Sequence, residues 1–386
     1  MPTKTQQISV DAMLDVQAIE RELNELWAQK AGAGGGDEEG AVLRARVLNL
    51  MVYVTGEQDL RAVDEMLVDV AAVHPCRALV MLADEAGEDR DIEMQVSSRC
   101  QLESGAGGRH LCCEQVTLRA SGSFVVELPS ASVPLLVSDL PVFLWWRGAP
   151  DFESQIFQSL CRATDRVIID TAACHEPDDD LRALARFMKL QRKGRPGLSD
   201  LNWSRLTAWR ALLAGIYDVP EHANALGRLS RVRVEYVAPL AAPDAIAPKA
   251  LILAGWLASR LDWRVTGQPS QAKANGARLF SLEKDGQAIV IEFQRVSHEA
   301  VAPGGLARVE LVAESEPRAV FVAMRAEDGR NLETQKTLDA ETRTMRVLAG
   351  GDMTAALLLA AELEILSHDR LYEEAVAKAV ELLDSL

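Results

Sequence analysis

Two apolar runs, at residues 47–54 (VLNLMVYV, broken only by Asn49) and 78–83 (ALVMLA), flank a segment, 57–73, whose apolar residues recur at helical spacing. A strand apolar on both faces has to be covered on both, and sheets built from such strands are parallel, with crossover helices over them. Strand, helix, strand with short connections therefore restricts this chain to an α/β architecture. The same grammar continues with a strand at 140–146, a helix near 154–162, a strand at 166–170 and helices near 180–191 and 202–217. Residues 92–102 and 111–120 alternate polar and apolar, as strands with one exposed face do.

Beyond residue 230 the pattern is a strand at 231–237, a helix at 246–261 and a short strand at 263–266. From 278 to 348 alternation dominates, punctuated by Asp285-Gly286, Pro303-Gly304-Gly305 and Glu327-Asp328-Gly329, so an antiparallel meander is expected. Two Ala- and Leu-rich helices follow, separated near residues 367–369. These readings divide the chain into residues 1–40, an amphipathic helix and Gly-rich linker; 41–237, an α/β domain; and 238–386, an α+β domain. The boundary is set at the Pro- and Ala-rich segment 238–244, with 267–276 as the alternative. The first helix carries Ile19, Leu23 and Leu26 on one face and is expected to dock on its own domain.

The formal net charge of -16 repels phosphate backbones and anionic lipid, so neither nucleic acid nor membrane is an expected partner. No stretch is apolar enough to span a bilayer, the N-terminus lacks the features of a secretory signal, and six cysteines show no disulfide-framework spacing. A cytoplasmic setting is expected.

Four of the seven tryptophans fall in two short clusters. In DLPVFLWW (139–146), Trp145 and Trp146 face opposite sides of a strand near its carboxyl end, where α/β proteins place ligands. In DLNWSRLTAWR (200–210), read as one helix capped by Asp200, Trp203 with Arg210 and Arg205 with Trp209 form two neighbouring faces. Trp and Arg dominate interface hot spots, so these six residues are candidates for partner binding; the competing reading is core Trp with Arg side chains reaching solvent. In HPCR (74–77), His74 and Arg77 are placed to hold an anion or to pin the loop through carboxylates. Dinucleotide, P-loop and nucleophile-elbow patterns are missing, and no cofactor or metal is expected. His110 with Cys112 and Cys113 makes a poor metal set, because adjacent cysteines on a strand point apart.

These segments, together with DRVIID (165–170) and in this order, resemble the glucose-6-phosphate dehydrogenase assembly protein family, OpcA. The resemblance runs from about residue 47 to 217 and more loosely beyond. It implies a non-catalytic partner of glucose-6-phosphate dehydrogenase that promotes its active oligomer, at the entrance to the oxidative pentose phosphate pathway. Relatives in cyanobacteria are linked to redox control through cysteines near the C-terminus; here no Cys follows Cys174. The expected fold is an α/β mixed twisted sheet flanked by helices, Rossmann-like and non-catalytic. A second α+β domain with an antiparallel meander and two C-terminal helices is expected after it. Two other readings stand beside this one: a sensor holding a sugar phosphate or nucleotide near Trp146, Asp170 and His175, and an enzyme using Cys174 and His175. Self-association is left open.

Overall fold

The computed structural model describes residues 5–8, 16–33, 42–43, 46–102, 110–190, 196–266, 271–272, 276–314, 318–338, 341–349 and 353–385. Its contacts divide the chain into two compact units, each assembled from three stretches: 1–170, 191–201 and 354–368 in the first, and 171–190, 202–353 and 369–386 in the second. The fold class is the expected one, a mixed α/β sheet with helices and then a largely antiparallel sheet with C-terminal helices.

The first unit holds a nine-stranded sheet. Its strands are β1 (Thr5–Ile8), β2 (Val42–Leu43), β3 (Leu48–Val54), β4 (Cys76–Asp84), β5 (Arg90–Leu102), β6 (His110–Ser121), β7 (Val142–Trp146), β8 (Arg166–Ile169) and β9 (Gly197–Asp200). They lie in the order β1-β5-β6-β4-β3-β7-β8-β9, with β2 also on β6. From β6 to β9 every neighbour is parallel, whereas β5 and β1 run antiparallel at one side. The strand order reverses between β3 and β7, the kind of switch point that opens a crevice beyond the carboxyl ends.

Around this sheet lie α1 (Val16–Ala33), α2 (Glu57–Val73), the short α3 (Leu128–Ser132), α4 (Gln155–Arg162) and, from much later in the chain, α10 (Ala355–Glu362). Helix α2 starts with Glu57 and Asp59 near its positive end and buries Leu60, Val63, Leu67, Val70 and Ala71, a stripe at spacings of three and four. It stops at His74, whose backbone leaves the helical region, as a residue before proline tends to. Leu358, Leu359 and Leu363 complete the cluster formed by α2, β3 and β4; each such side chain contributes about 2 kcal/mol on burial. Helix α1 docks as expected, burying Ile19, Leu23 and Leu26 within this unit. The Gly-rich linker that was read after it lies, from residue 34 to 41, outside the described residues.

The second unit carries another nine-stranded sheet. Its strands are β10 (Leu229–Tyr236), β11 (Arg264–Val265), β12 (Gln271–Ala272), β13 (Arg278–Lys284), β14 (Gln287–Arg295), β15 (Leu306–Ala313), β16 (Ala319–Arg325), β17 (Asn331–Leu338) and β18 (Glu341–Ala349), in the order β11-β13-β14-β10-β15-β16-β17-β18, with β12 also on β13. Only β10 and β14 pair in parallel among the described strands. Its helices are α5 (Pro177–Leu190), α7 (Thr207–Gly215), α8 (Pro220–Leu226), α9 (Pro248–Arg260) and α11 (Arg370–Leu383), while the single turn α6 (Leu201–Ser204) begins at the join between units. The segment 238–244, read as a domain boundary, runs inside this unit from β10 to α9. The helix expected at 202–217 is broken into α6 and α7, and Gly197–Asp200, ahead of it, is a strand.

Helix α9 is apolar nearly all round and is correspondingly enclosed, with Leu251, Ile252, Leu253 and Ala254 fully buried. At Gly255 it touches α11 so closely that an added Cβ would stand 2.1 Å from the Ala375 carbonyl oxygen and 2.8 Å from the Ala379 nitrogen. Gly255→Ala is therefore expected to cost about 2 kcal/mol or more, read from urea unfolding. A loss of a few tenths would mean that the helices slide apart freely.

At the start of α5, burial pushes the Asp178 carboxyl above its ordinary value of 3.8, against the pull of Arg278 and Arg182. Its Oδ1 is buried without a hydrogen-bond partner. The folded protein thus holds that proton more tightly than the unfolded chain, and the contribution of Asp178 to stability falls as pH rises from 3.8 through the folded value. Asp178→Asn removes that slope, so unfolding measured across this window is expected to favour the variant progressively as pH rises. A stability difference independent of pH would contradict the assignment.

Candidate functional site

The tryptophan pair of β7 divides as alternation requires. Trp145 joins the cluster beneath α2 and α10. Trp146 lies on the other face, stacked on its register neighbour Tyr53 at 3.9 Å between ring centroids and meeting Phe157 edge-on at 5.1 Å. In the second unit Trp203 donates its indole N–H to Asp369 (2.7 Å), lies near Tyr372, and is covered by the Arg210 guanidinium, 3.5 Å from the ring centroid. That contact is a close cation–π pair. Trp209 is packed in α7 with Leu212 and Leu213.

All four indoles are between 2 and 6% exposed. The sequence pairing of Trp203 with Arg210 is present, but as an internal contact; Arg205 and Arg210 remain half-buried at the margin. The reading of core tryptophans with arginines at the edge therefore describes how these six residues are placed. Their clustering in sequence reflects two packing centres, and large aromatic area serves a core and an interface equally well.

Arg77 is likewise spoken for. Buried at the start of β4, it donates to Glu114 on β6 through Nε (3.0 Å) and Nη2 (2.8 Å), to the Leu135 carbonyl (3.1 Å) and to Glu20 on α1. Burial alone would lower its pKa, but the two carboxylates outweigh it and hold the guanidinium above its ordinary value. His74 sets Nε2 2.9 Å from the Ala360 carbonyl oxygen on α10. HPCR thus pins elements of the protein to one another, the carboxylate alternative to anion holding. Arg166 repeats the device: fully buried on β8, it meets Ser199 on β9, the carbonyls of Leu198 and Ser367, and, at 3.8 Å, Glu362 of α10.

Beyond the carboxyl ends of β3, β4 and β6 lies a cleft of about 610 Å³, lined by polar groups that include Glu57, Asp84, Asp91, Glu93, Arg90 and Arg119. Carboxylates outnumber cations there. The N-terminus of α2, which opens onto it, has an uncapped Gly56 but already holds two carboxylates, Glu57 paired with Arg119 and Asp59 with Arg147 at 2.8 Å. Where a nucleotide-binding sheet presents bare backbone N–H groups to a pyrophosphate, the first turn here carries two carboxylates, each paired with an arginine. Cys174 is buried and His175 exposed. The side chains of His110, Cys112 and Cys113 lie outside those described. No helix among the described residues is long and apolar enough to cross a membrane.

Arg77→Met would take from Glu114, whose side chain is 1% exposed, its cation at 2.8 Å while leaving Arg46 at 3.5 Å. Losing one member of a buried pair costs about 3–5 kcal/mol, and with Arg46 in place the loss is expected at the lower end, about 3 kcal/mol. Glu20→Gln, on a side chain 38% exposed, is expected to cost about 1 kcal/mol or less. Equal losses for the two variants in urea unfolding would overturn this division of roles.

Comparison with known proteins completes the description. A family model described as the glucose-6-phosphate dehydrogenase subunit N-terminal domain matches residues 68–186, and one described as the C-terminal domain of that subunit matches residues 196–376. A Nostoc punctiforme protein named OxPP cycle protein OpcA is 29% identical over 80% of this chain and 65% of its own length. Its namesake in Synechococcus elongatus is 29% identical over 83% of this chain and 70% of its own; that of Synechocystis is 31% identical over 50% and 38%. This chain therefore spans a little under two thirds of the Nostoc relative. Among solved structures, an NAD binding oxidoreductase from Klebsiella pneumoniae aligns over 89% of this chain and 96% of its own, with 12% identity and a TM-score of 0.48. That likeness is too distant to say anything of activity. The two family models take in more than three quarters of the sequence, in order, and the chain belongs to the OpcA family of glucose-6-phosphate dehydrogenase assembly proteins.

Proposed function

We propose that this protein is a non-catalytic partner of glucose-6-phosphate dehydrogenase that promotes the active oligomer of that enzyme in the cytoplasm. The observation that carries the reading is the match of both halves of the chain to domains described as those of a glucose-6-phosphate dehydrogenase subunit. The head of α2 supports it, because the arginine-paired carboxylates of Glu57 and Asp59 occupy the first turn, where a dinucleotide phosphate would have to approach. The activating step is a population shift: the factor binds the active dehydrogenase assembly more tightly than the inactive form, and stimulates by that difference in affinity. On this reading the tryptophans of 139–146 and 200–210 act from within, by fixing the shape of the surface beside Arg147 in the first unit and, separately, beside Arg205 and Arg210 in the second.

The test is an assay of the dehydrogenase from the same organism with and without this protein, alongside light scattering of the mixture. Activity is expected to rise together with a complex heavier than the dehydrogenase alone. If neither appears over a range of substrate and NADP concentrations, the reading is wrong. Thermal stabilisation of this protein by NADP or glucose 6-phosphate alone would then favour a ligand sensor.

A further inference from the structure

Among the described residues, one face of the second unit's sheet is buried and the other is largely half-exposed. Val232, Val234, Ile291, Phe293, Leu311 and Phe321 are buried on the packed face. On the other face the residues are mostly half-exposed, and the strand register sets them in straight rows. One row runs from Glu235 through Arg308, Met324 and Glu333 to Val347; the next runs from Arg233 through Glu310 and Val322 to Gln335. Such a face on an antiparallel sheet ordinarily meets water and is polar throughout.

Strand β16 departs from that rule. Its sequence, AVFVAMR, is apolar on both sides: Phe321 and Ala323 point into the core, while on the other face Val320 and Met324 are half-exposed and flank Val322, which its neighbours already bury. A strand apolar on both sides reads as one covered on both sides. The strands that flank it carry opposite charge at the same level. Arg308 on β15 and Glu333 on β17 are both register partners of Met324. Each also has a hydrogen-bonding neighbour two residues along its own strand, Arg308 to Glu310 and Gln335 to Glu333, both at 2.9 Å. An apolar centre bordered by satisfied polar groups is the anatomy of a protein interface.

We propose that two copies of this chain pair through this face, with the twofold axis along β16. Rotation about that line lays the half-exposed Val320 and Met324 over their own counterparts. It also brings Arg308 of each copy opposite Glu333 of the other, so the face is complementary to itself, as a twofold interface has to be. About an axis along β16, the strands that overlie one another are β10, β15, β16, β17 and β18, each seven to nine residues long. At the usual strand spacing and rise this is roughly 600 Å² per copy, or roughly 1,200 Å² for the pair, at the lower end of the range of stable interfaces. Two twisted sheets can pack face to face in this way. The pairing is independent of the dehydrogenase reading.

The experiment is light scattering and sedimentation of the full chain, alone, over concentrations into the high micromolar range. The mass is expected to rise from one copy to two. Val320→Asp with Met324→Asp should weaken the pairing at least about tenfold while leaving the unfolding midpoint in place. Arg308→Glu should weaken it as well, and adding Glu333→Arg in the same chain should restore it; this charge exchange decides the matter if the double Asp variant does not fold. A wild-type protein that stays monomeric, or a dimer indifferent to all of these changes, overturns the proposal. So does a monomer whose binding to the dehydrogenase is lost on Val320→Asp, for the face would then belong to a different partner.

Discussion

An arginine cannot shed its charge, so a guanidinium carried into a sheet has to bring its acceptors with it. The first unit is organised around two such groups. Arg77 and Arg166 are both buried, on strands either side of the central β3–β7 pair. Arg77 draws in Glu114 from β6 and Glu20 from α1, which holds the N-terminal helix against the sheet. Arg166 takes its acceptors from β9, from α10 and from the stretch just after it, about two hundred residues further along. Its requirement is a physical reason for the late segment 354–368 to return to the first unit, where its leucines then finish the cluster over α2.

The parts of this arrangement that follow from local chemistry were legible in the sequence. The apolar runs at β3 and β4, the amphipathic stripe of α2, the proline ahead of β7 and the turn signals of the meander each specify their element with little help from the rest of the chain. The short strand Gly197–Asp200 was not legible, because GLSD has neither alternation nor an apolar run; its place is secured by pairing with β8. The break between α6 and α7 has no proline or glycine to announce it. The interleaving of the chain between two units depends on contacts hundreds of residues apart, which no local pattern reports.

The candidate site shows the same division. The sequence singled out the residues that matter most to the architecture, and the pairing of Trp203 with Arg210 is present. What helical spacing could not decide is which way that pair faces, since a tryptophan beside an arginine suits an interface and a core margin alike. The carboxylates at the head of α2 were visible as letters, but their position over the crevice required the sheet order. The half-exposed face of the second sheet was likewise hidden: β16 looks like any buried strand until its register shows Val320 and Met324 on the side away from Phe321.

The threading of the chain also bears on how the protein is made. Because the first unit waits for α10 and the second for α11, neither can close until residues 354–385 have left the ribosome. Up to that moment the nascent chain carries two half-built cores, one exposing the leucine seat of α10 on α2 and the other the flank of α9 that α11 covers. Most proteins of this size can finish one domain while the next is still being translated. This one has to complete both within the same few seconds.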